Sequence, residues 1–197
     1  MKVLYVGDAC TKVGPMFLAS PFNLEMKGMS HHIWGQPLID AMTNAGIEVR
    51  HLTNTDAISL FPRTVEELSE YDVVILSDCE YEVLALYPFW MESAVQPTTD
   101  RIRAIRDYAK QGGGLLMIGG WSSFEGFNRF IPKEGSTVLA TIGDDEITSP
   151  LLVTWDYGKG RSAAFASDCS PHWATHFQPW KYYGQFWVQL VKWLAKQ

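Results

Sequence analysis

At 197 residues the chain is long enough for one domain with a sizeable buried core, and 47% hydrophobic against 19% charged residues excludes a disordered chain. A formal net charge of -6 leaves no basic footprint for nucleic acid. No apolar run reaches the length of a membrane-spanning helix.

The chain opens on Met1-Lys-Val-Leu-Tyr-Val-Gly7. Its apolar run is too short for a signal peptide, and no small-residue cleavage site follows, so a strand is expected over Lys2 to Val6. There are 3 Cys, an odd number without framework spacing, which fits a reduced cytoplasmic protein. The strand ends at Gly7-Asp8-Ala9-Cys10. From Thr11 to Trp34 the chain reads as irregular, broken by Gly14-Pro15, Pro21 and Gly28. Connections of this length are usually functional or mobile. Pro37 suits the first turn of a helix, Leu38, Met42 and Ala45 recur at helical spacing, and Gly46 is a natural stop. Ile47 to Leu52 is the second strand.

Thr64-Val-Glu-Glu67 is a capping box, with Thr64 and Glu67 placed to satisfy free amides at the start of a short helix ending near Tyr71. Val73 to Leu76 is wholly apolar, so it reads as a central strand, and it ends in Ser77-Asp78-Cys79-Glu80. A second irregular stretch is expected as far as Pro97. Thr98 or Thr99 caps the next helix, with Ile102, Ile105 and Ala109 inward and Arg101, Arg103, Arg106 and Lys110 solvated. Gly112 to Gly114 ends that helix, because glycine takes positive φ without a Cβ clash.

Leu115 to Ile118 is then a short strand covered on both faces, and Gly119-Gly120 turns the chain sharply into Trp121, Ser122, Ser123 and Glu125. Thr137 to Thr141 reads as a short strand and Asp144-Asp-Glu146 as a solvated acidic turn. Leu151 to Trp155 and Arg161 to Ala166 flank Asp156-Tyr-Gly-Lys-Gly160, a hairpin signal. The last helix, about Tyr182 to Ala195, places Tyr183, Phe186, Trp187, Leu190 and Leu194 on one face. Alternating strands and helices predict an α/β fold: a mostly parallel sheet, helices on both faces, and a late antiparallel hairpin. Neither Gly-x-Gly-x-x-Gly after the first strand nor a Walker A motif is present.

Three strands end alike, at Asp8-Ala-Cys10, Asp78-Cys79 and Asp168-Cys169. In a parallel sheet these ends share one rim, where open α/β sheets bind ligands. The turn from Trp121 to Glu125 belongs to it, as do His172 and His176 after the last of these ends, and His31 and His32 in the first long loop. Each residue also has an ordinary structural role. Free cysteines are usually small buried residues. Strand-end aspartates often bind loop amides. His172 can pack among Trp173 and Trp180, His31-His32 can be a polar loop pair, and Glu125 a surface charge.

Gly119-Gly-Trp-Ser-Ser-Phe-Glu-Gly126 resembles a Gly-Gly-Tyr-x-Ser-Phe-x-Gly stretch of the glutamine amidotransferase-like family, in the class I glutamine amidotransferase-like superfamily near the ThuA-like (trehalose-utilisation) proteins. Phe61-Pro-Arg-Thr-Val-Glu-Glu-Leu68, Tyr71-Asp-Val-Val-Ile-Leu-Ser-Asp78, Arg101-Ile-Arg-Ala-Ile-Arg-Asp-Tyr108, Ser167-Asp-Cys-Ser-Pro-His-Trp173 and Tyr183-Gly-Gln-Phe-Trp187 resemble further family segments. The resemblance covers most of the chain and implies a single domain over 1–197 with a flavodoxin-like three-layer sandwich. It also implies where catalysis would sit. Class I amidotransferases carry a nucleophilic Cys on the turn after the central strand, where the helix start and nearby amides stabilise thiolate and oxyanion. Here Trp121 stands about where that Cys belongs, and indole is no nucleophile. No His-x-Glu pair follows a late strand, so glutaminase activity is not expected.

The expectation is a pocket for a small polar or carbohydrate-like ligand, with no cofactor and no metal. Trp121, Gly120, Ser123, Asp8, Cys79, Asp168 and His31 would bind, and Asp78, Ser122, Glu125 and His172 would supply any chemistry. Three alternatives stand beside it. One is a hydrolase with His172 as base and Ser122, Ser123 or Cys79 as nucleophile. Another is a metal-assisted hydrolase using Asp78, Asp168, His172 and His31 or His32. The last is a non-catalytic module whose aromatic tail forms a subunit interface. A homo-oligomer is expected, with no nucleic-acid or membrane partner.

Overall fold

The computed structural model describes residues 1–13, 29–79, 81–85, 100–119, 127–143, 148–170 and 176–197, with the backbone alone at 10–13, 29–31 and 82. The strands are β1 (Lys2–Gly7), β2 (Ala9–Val13), β3 (Met29–Ile33), β4 (Glu48–Leu52), β5 (Val73–Ser77), β6 (Gly114–Ile118), β7 (Thr137–Gly143), β8 (Thr148–Tyr157) and β9 (Gly160–Phe165). The helices are α1 (Gln36–Asn44), α2 (Asn54–Leu60), α3 (Val65–Leu68), α4 (Tyr81–Ala85), α5 (Arg101–Gln111) and α6 (Tyr183–Leu194).

Seven strands form one sheet in the order β4-β1-β5-β6-β9-β8-β7. The first five are mutually parallel, and β8 and β7 run antiparallel at the edge. From β1 the chain goes out to β4, then returns across β1 to β5. The strand order therefore reverses between β1 and β5, which is the topological switch point of a flavodoxin-like sheet.

Pleating divides the side chains between two cores. Val3 and Tyr5 of β1, with Val73 and Ile75 of β5, pack under α1 and α6 against Leu38, Met42, Trp187, Val191 and Leu194. Leu4, Val6, Val74 and Leu76 face the other way, against Ala57, Phe61, Leu68, Ala104, Ile105 and Tyr108. This two-sided burial is why the central strands are unbroken apolar runs.

The predicted helix stops and hairpin are present. Ala45 and Gly46, with Gly46 at φ 78, close α1, and Gly112 at φ 135 closes α5. Tyr157 pairs with Gly160 across a two-residue turn with Gly158 at φ 62. The capping box is shifted by one residue. Thr64 accepts from the Glu67 amide at 3.2 Å, but the Glu67 carboxylate accepts from the Arg63 amide at 2.6 Å.

Several expectations need correction. The ends of the long first loop are not irregular: β2 and β3 pair antiparallel, from Ala9 with Ile33 to Val13 with Met29. α2 occupies a segment for which no element was expected, and Thr53 caps it by accepting from the Asp56 amide at 3.0 Å. α4 interrupts the second irregular stretch. Asp100, not Thr98 or Thr99, caps α5, accepting from the Arg103 amide at 2.9 Å. Arg101 is buried rather than solvated: its guanidinium donates to the Ala57 and Ile58 carbonyls at 3.1 and 3.0 Å, at the end of α2. Ile102, expected inward, is 37% exposed, and Met117 of β6 is 53% exposed. β7 extends to Gly143 and is bulged near Val138 and Ala140, which blunts a sheet edge against further pairing.

Candidate functional site

The carboxyl ends of β1, β5, β6 and β9 meet at one rim. At three adjacent strands the chain leaves the sheet through positive φ: Gly7 (φ 108) and Asp8 (φ 48) after β1, Asp78 (φ 44) after β5, and Gly119 (φ 88) after β6. Asp tolerates this region better than most side chains, but two non-glycine residues there, side by side at the switch point, are unusual.

Hydrogen bonds lace these ends together. The Gly119 amide donates to the Phe165 and Ser167 carbonyls at 3.3 and 2.8 Å, and the Asp78 amide donates to the Ile118 carbonyl at 3.2 Å. Asn128 donates its backbone amide to Ala166 at 2.7 Å and its side-chain amide to the Gly119 carbonyl at 2.9 Å. Asn54, at the start of α2, donates to the Asp78 carbonyl at 3.3 Å. The Asp78 carboxylate lies directly on Gly119: a Cβ at 119 would sit 2.1 Å from Asp78 Oδ1. Glycine is therefore required at 119 by close approach as well as by φ.

Beneath the rim lies a buried polar network. The Tyr5 hydroxyl donates to Asp8 Oδ2, and the Cys169 thiol donates to the same oxygen at 3.4 Å. The thiol also lies 3.6 Å from the Tyr5 hydroxyl and 3.5 Å from the Ser77 hydroxyl. Asp168 accepts from the Ser170 amide at 2.7 Å and from its hydroxyl. Tyr183 and Gln178 both donate to the Cys169 carbonyl, at 2.7 and 3.0 Å. Tyr5, Asp8, Ser77, Asp168, Cys169 and Ser170 are all buried. His51 holds the rim from outside: its Nε2 donates to the Gly7 carbonyl at 2.8 Å, and its ring stacks on Tyr5 at 5.1 Å.

Burial pushes the Cys169 thiol well above its ordinary range, and the Asp8 carboxylate adds to the effect. Burial likewise raises Tyr5, reinforced by Cys169 and Asp8. Both groups stay protonated and serve as donors. One ligand atom each from Asp8, Asp168 and Cys169 lies within 4.8 Å of the others, a donor set that differs from the Asp78, Asp168 and histidine combination expected for a metal. The oxygens and sulfur of this set are engaged by Tyr5, Ser77 and Ser170.

Of the expected site residues, Asp8 and Asp168 come within 4.8 Å of each other but are buried beneath the rim, and Asp78 and Cys79 stand half-buried at the end of β5. Gly120, Trp121, Ser122, Ser123, Glu125 and His172 lie outside the described residues, as do the side chain of His31 and the acidic turn at 144–146. Tyr5, Ser77, Asn128 and Tyr183 are the residues that sequence reasoning missed, and Cys169 is the small buried residue expected. A tyrosine inside an otherwise aliphatic strand was the available signal for Tyr5. At the same end of the sheet, Trp180 stacks on Phe177 at 5.8 Å, and Trp180 and Tyr182 are 44% and 45% exposed. Among the described residues of the tail, Phe165, Phe177, Phe186 and Trp187 pack ring on ring.

A family model described as Putative glutamine amidotransferase matches residues 2–130 and 121–196. Among solved structures, the Cytoplasmic Protein STM1381 from Salmonella typhimurium LT2 is 25% identical, with a TM-score of 0.80 over 98% of this chain and 99% of that one. The Cytoplasmic Protein STM3548 from Salmonella typhimurium is 22% identical, with a TM-score of 0.79 over 98% and 99%. A ThuA-like protein from Parabacteroides merdae is 11% identical, with a TM-score of 0.48 over 98% and 89%. A search of the curated proteins finds no match. Among the described residues, no helix is long and apolar enough to cross a membrane.

Proposed function

The chain belongs to the Putative glutamine amidotransferase family, and from that premise we propose that it binds a small polar ligand at the carboxyl rim rather than hydrolysing glutamine. The observation that supports this reading is the set of strained strand ends around the switch point: Asp8 after β1 and Asp78 after β5 at positive φ, with Asp168 after β9 within 4.8 Å of Asp8. Ligands of doubly wound sheets bind in the crevice at such a point. Two of these acids stand in backbone conformations that cost about 1–3 kcal/mol for an ordinary residue, a feature that clusters at ligand sites.

The rejection of glutaminase chemistry rests on thiols. The turn after β6 reads Gly119-Gly-Trp-Ser122 and supplies none. Cys169, the thiol buried under the rim, is a protonated donor, whereas a nucleophile must ionise. Asp78, half-buried at the rim, suits a hydroxyl or amine donor on the ligand, and the buried Asp8 and Asp168 brace the strand ends beneath it. The exposed rings of Trp180 and Tyr182, with Trp121, suit stacking on a sugar-like ring.

A thermal-shift screen of sugars, polyols, amino acids and sugar acids tests this. A binder raises the melting temperature by mass action, and the response is expected to disappear in Asp78→Asn and Trp121→Ala. Binders that act equally on both variants would overturn the site. Ammonia release from glutamine is expected to equal the protein-free control, and any protein-dependent rate would overturn the second half of the proposal.

A further inference from the structure

No further inference is drawn: the strongest candidate, the buried Asp8, Asp168 and Cys169 cluster at the ends of β1 and β9, belongs to the site already described, and as an acidic pair with a lone cysteine engaged by Tyr5, Ser77 and Ser170 it has no second feature in the structure that points to an ion or another ligand.

Discussion

Cys169 is the small buried residue that a free cysteine usually is, but its partners could not be read from the sequence. The thiol is fully buried and donates to Asp8. A Cys10→Ser/Cys79→Ser protein, which keeps Cys169 alone, is expected to resist a thiol reagent at mildly alkaline pH until urea unfolds it. Labelling at the rate of a free thiol in the folded state would contradict the buried assignment. Gly119→Ala places a methyl group on the Asp78 carboxylate in a positive-φ position, and a loss of about 1–3 kcal/mol in urea unfolding is expected. In an Asp78→Gly background the same change is expected to cost less, because the clash is gone and only the φ strain is left. Equal costs in both backgrounds would mean that the contact contributes nothing.

The protonated donors also set a pH dependence. Burial raises Cys169, Tyr5, Tyr108 and Tyr183 above their ordinary values in the fold. The unfolded chain releases these protons from about pH 8.5 for cysteine and about pH 10 for tyrosine, and the folded chain only at higher pH. Below those values both states are protonated, and the stabilisation is fully present. Above them the unfolded chain binds fewer protons, so stability falls as pH rises. The urea midpoint is expected to drop steadily between about pH 8.5 and about pH 11. A midpoint that stays flat or rises over that range would contradict the donor roles.

Among the secondary-structure elements, glycine stops and helical periodicity were readable, but partners distant in sequence were not. The helical spacing of Leu38 and Met42 and the glycine stops at 46 and 112 are local signals, and they hold. Arg101 was misread because its partners, the carbonyls of Ala57 and Ile58, lie on another helix more than 40 positions away. The long first connection was misread because pairing β2 with β3 needs no apolar alternation when neither strand joins the main sheet. The cap correction is testable. Asp100→Ala removes the acceptor for the Arg103 amide, and a loss of about 1 kcal/mol in urea unfolding is expected. No loss would mean that another residue caps α5.

At the scale of the molecule, the sequence made the rim legible because the strand ends repeat: Asp8, Asp78 and Asp168 each follow an apolar run. It did not reveal what lies beneath. Tyr5 and Cys169 are 164 positions apart and meet only because β9 inserts beside β6 and delivers Cys169 under α6. Because of the β1/β5 reversal, the ligand proposed above is expected at this rim rather than at the amino ends of the strands. The direct measurement is amide chemical-shift mapping with the best compound from the thermal screen. The account predicts shifts concentrated at Gly7–Asp8, Ser77–Cys79, Gly119 and Ser167–Ser170. Shifts concentrated along β7, or at the amino ends of the strands near Lys2 and Gly114, would contradict it.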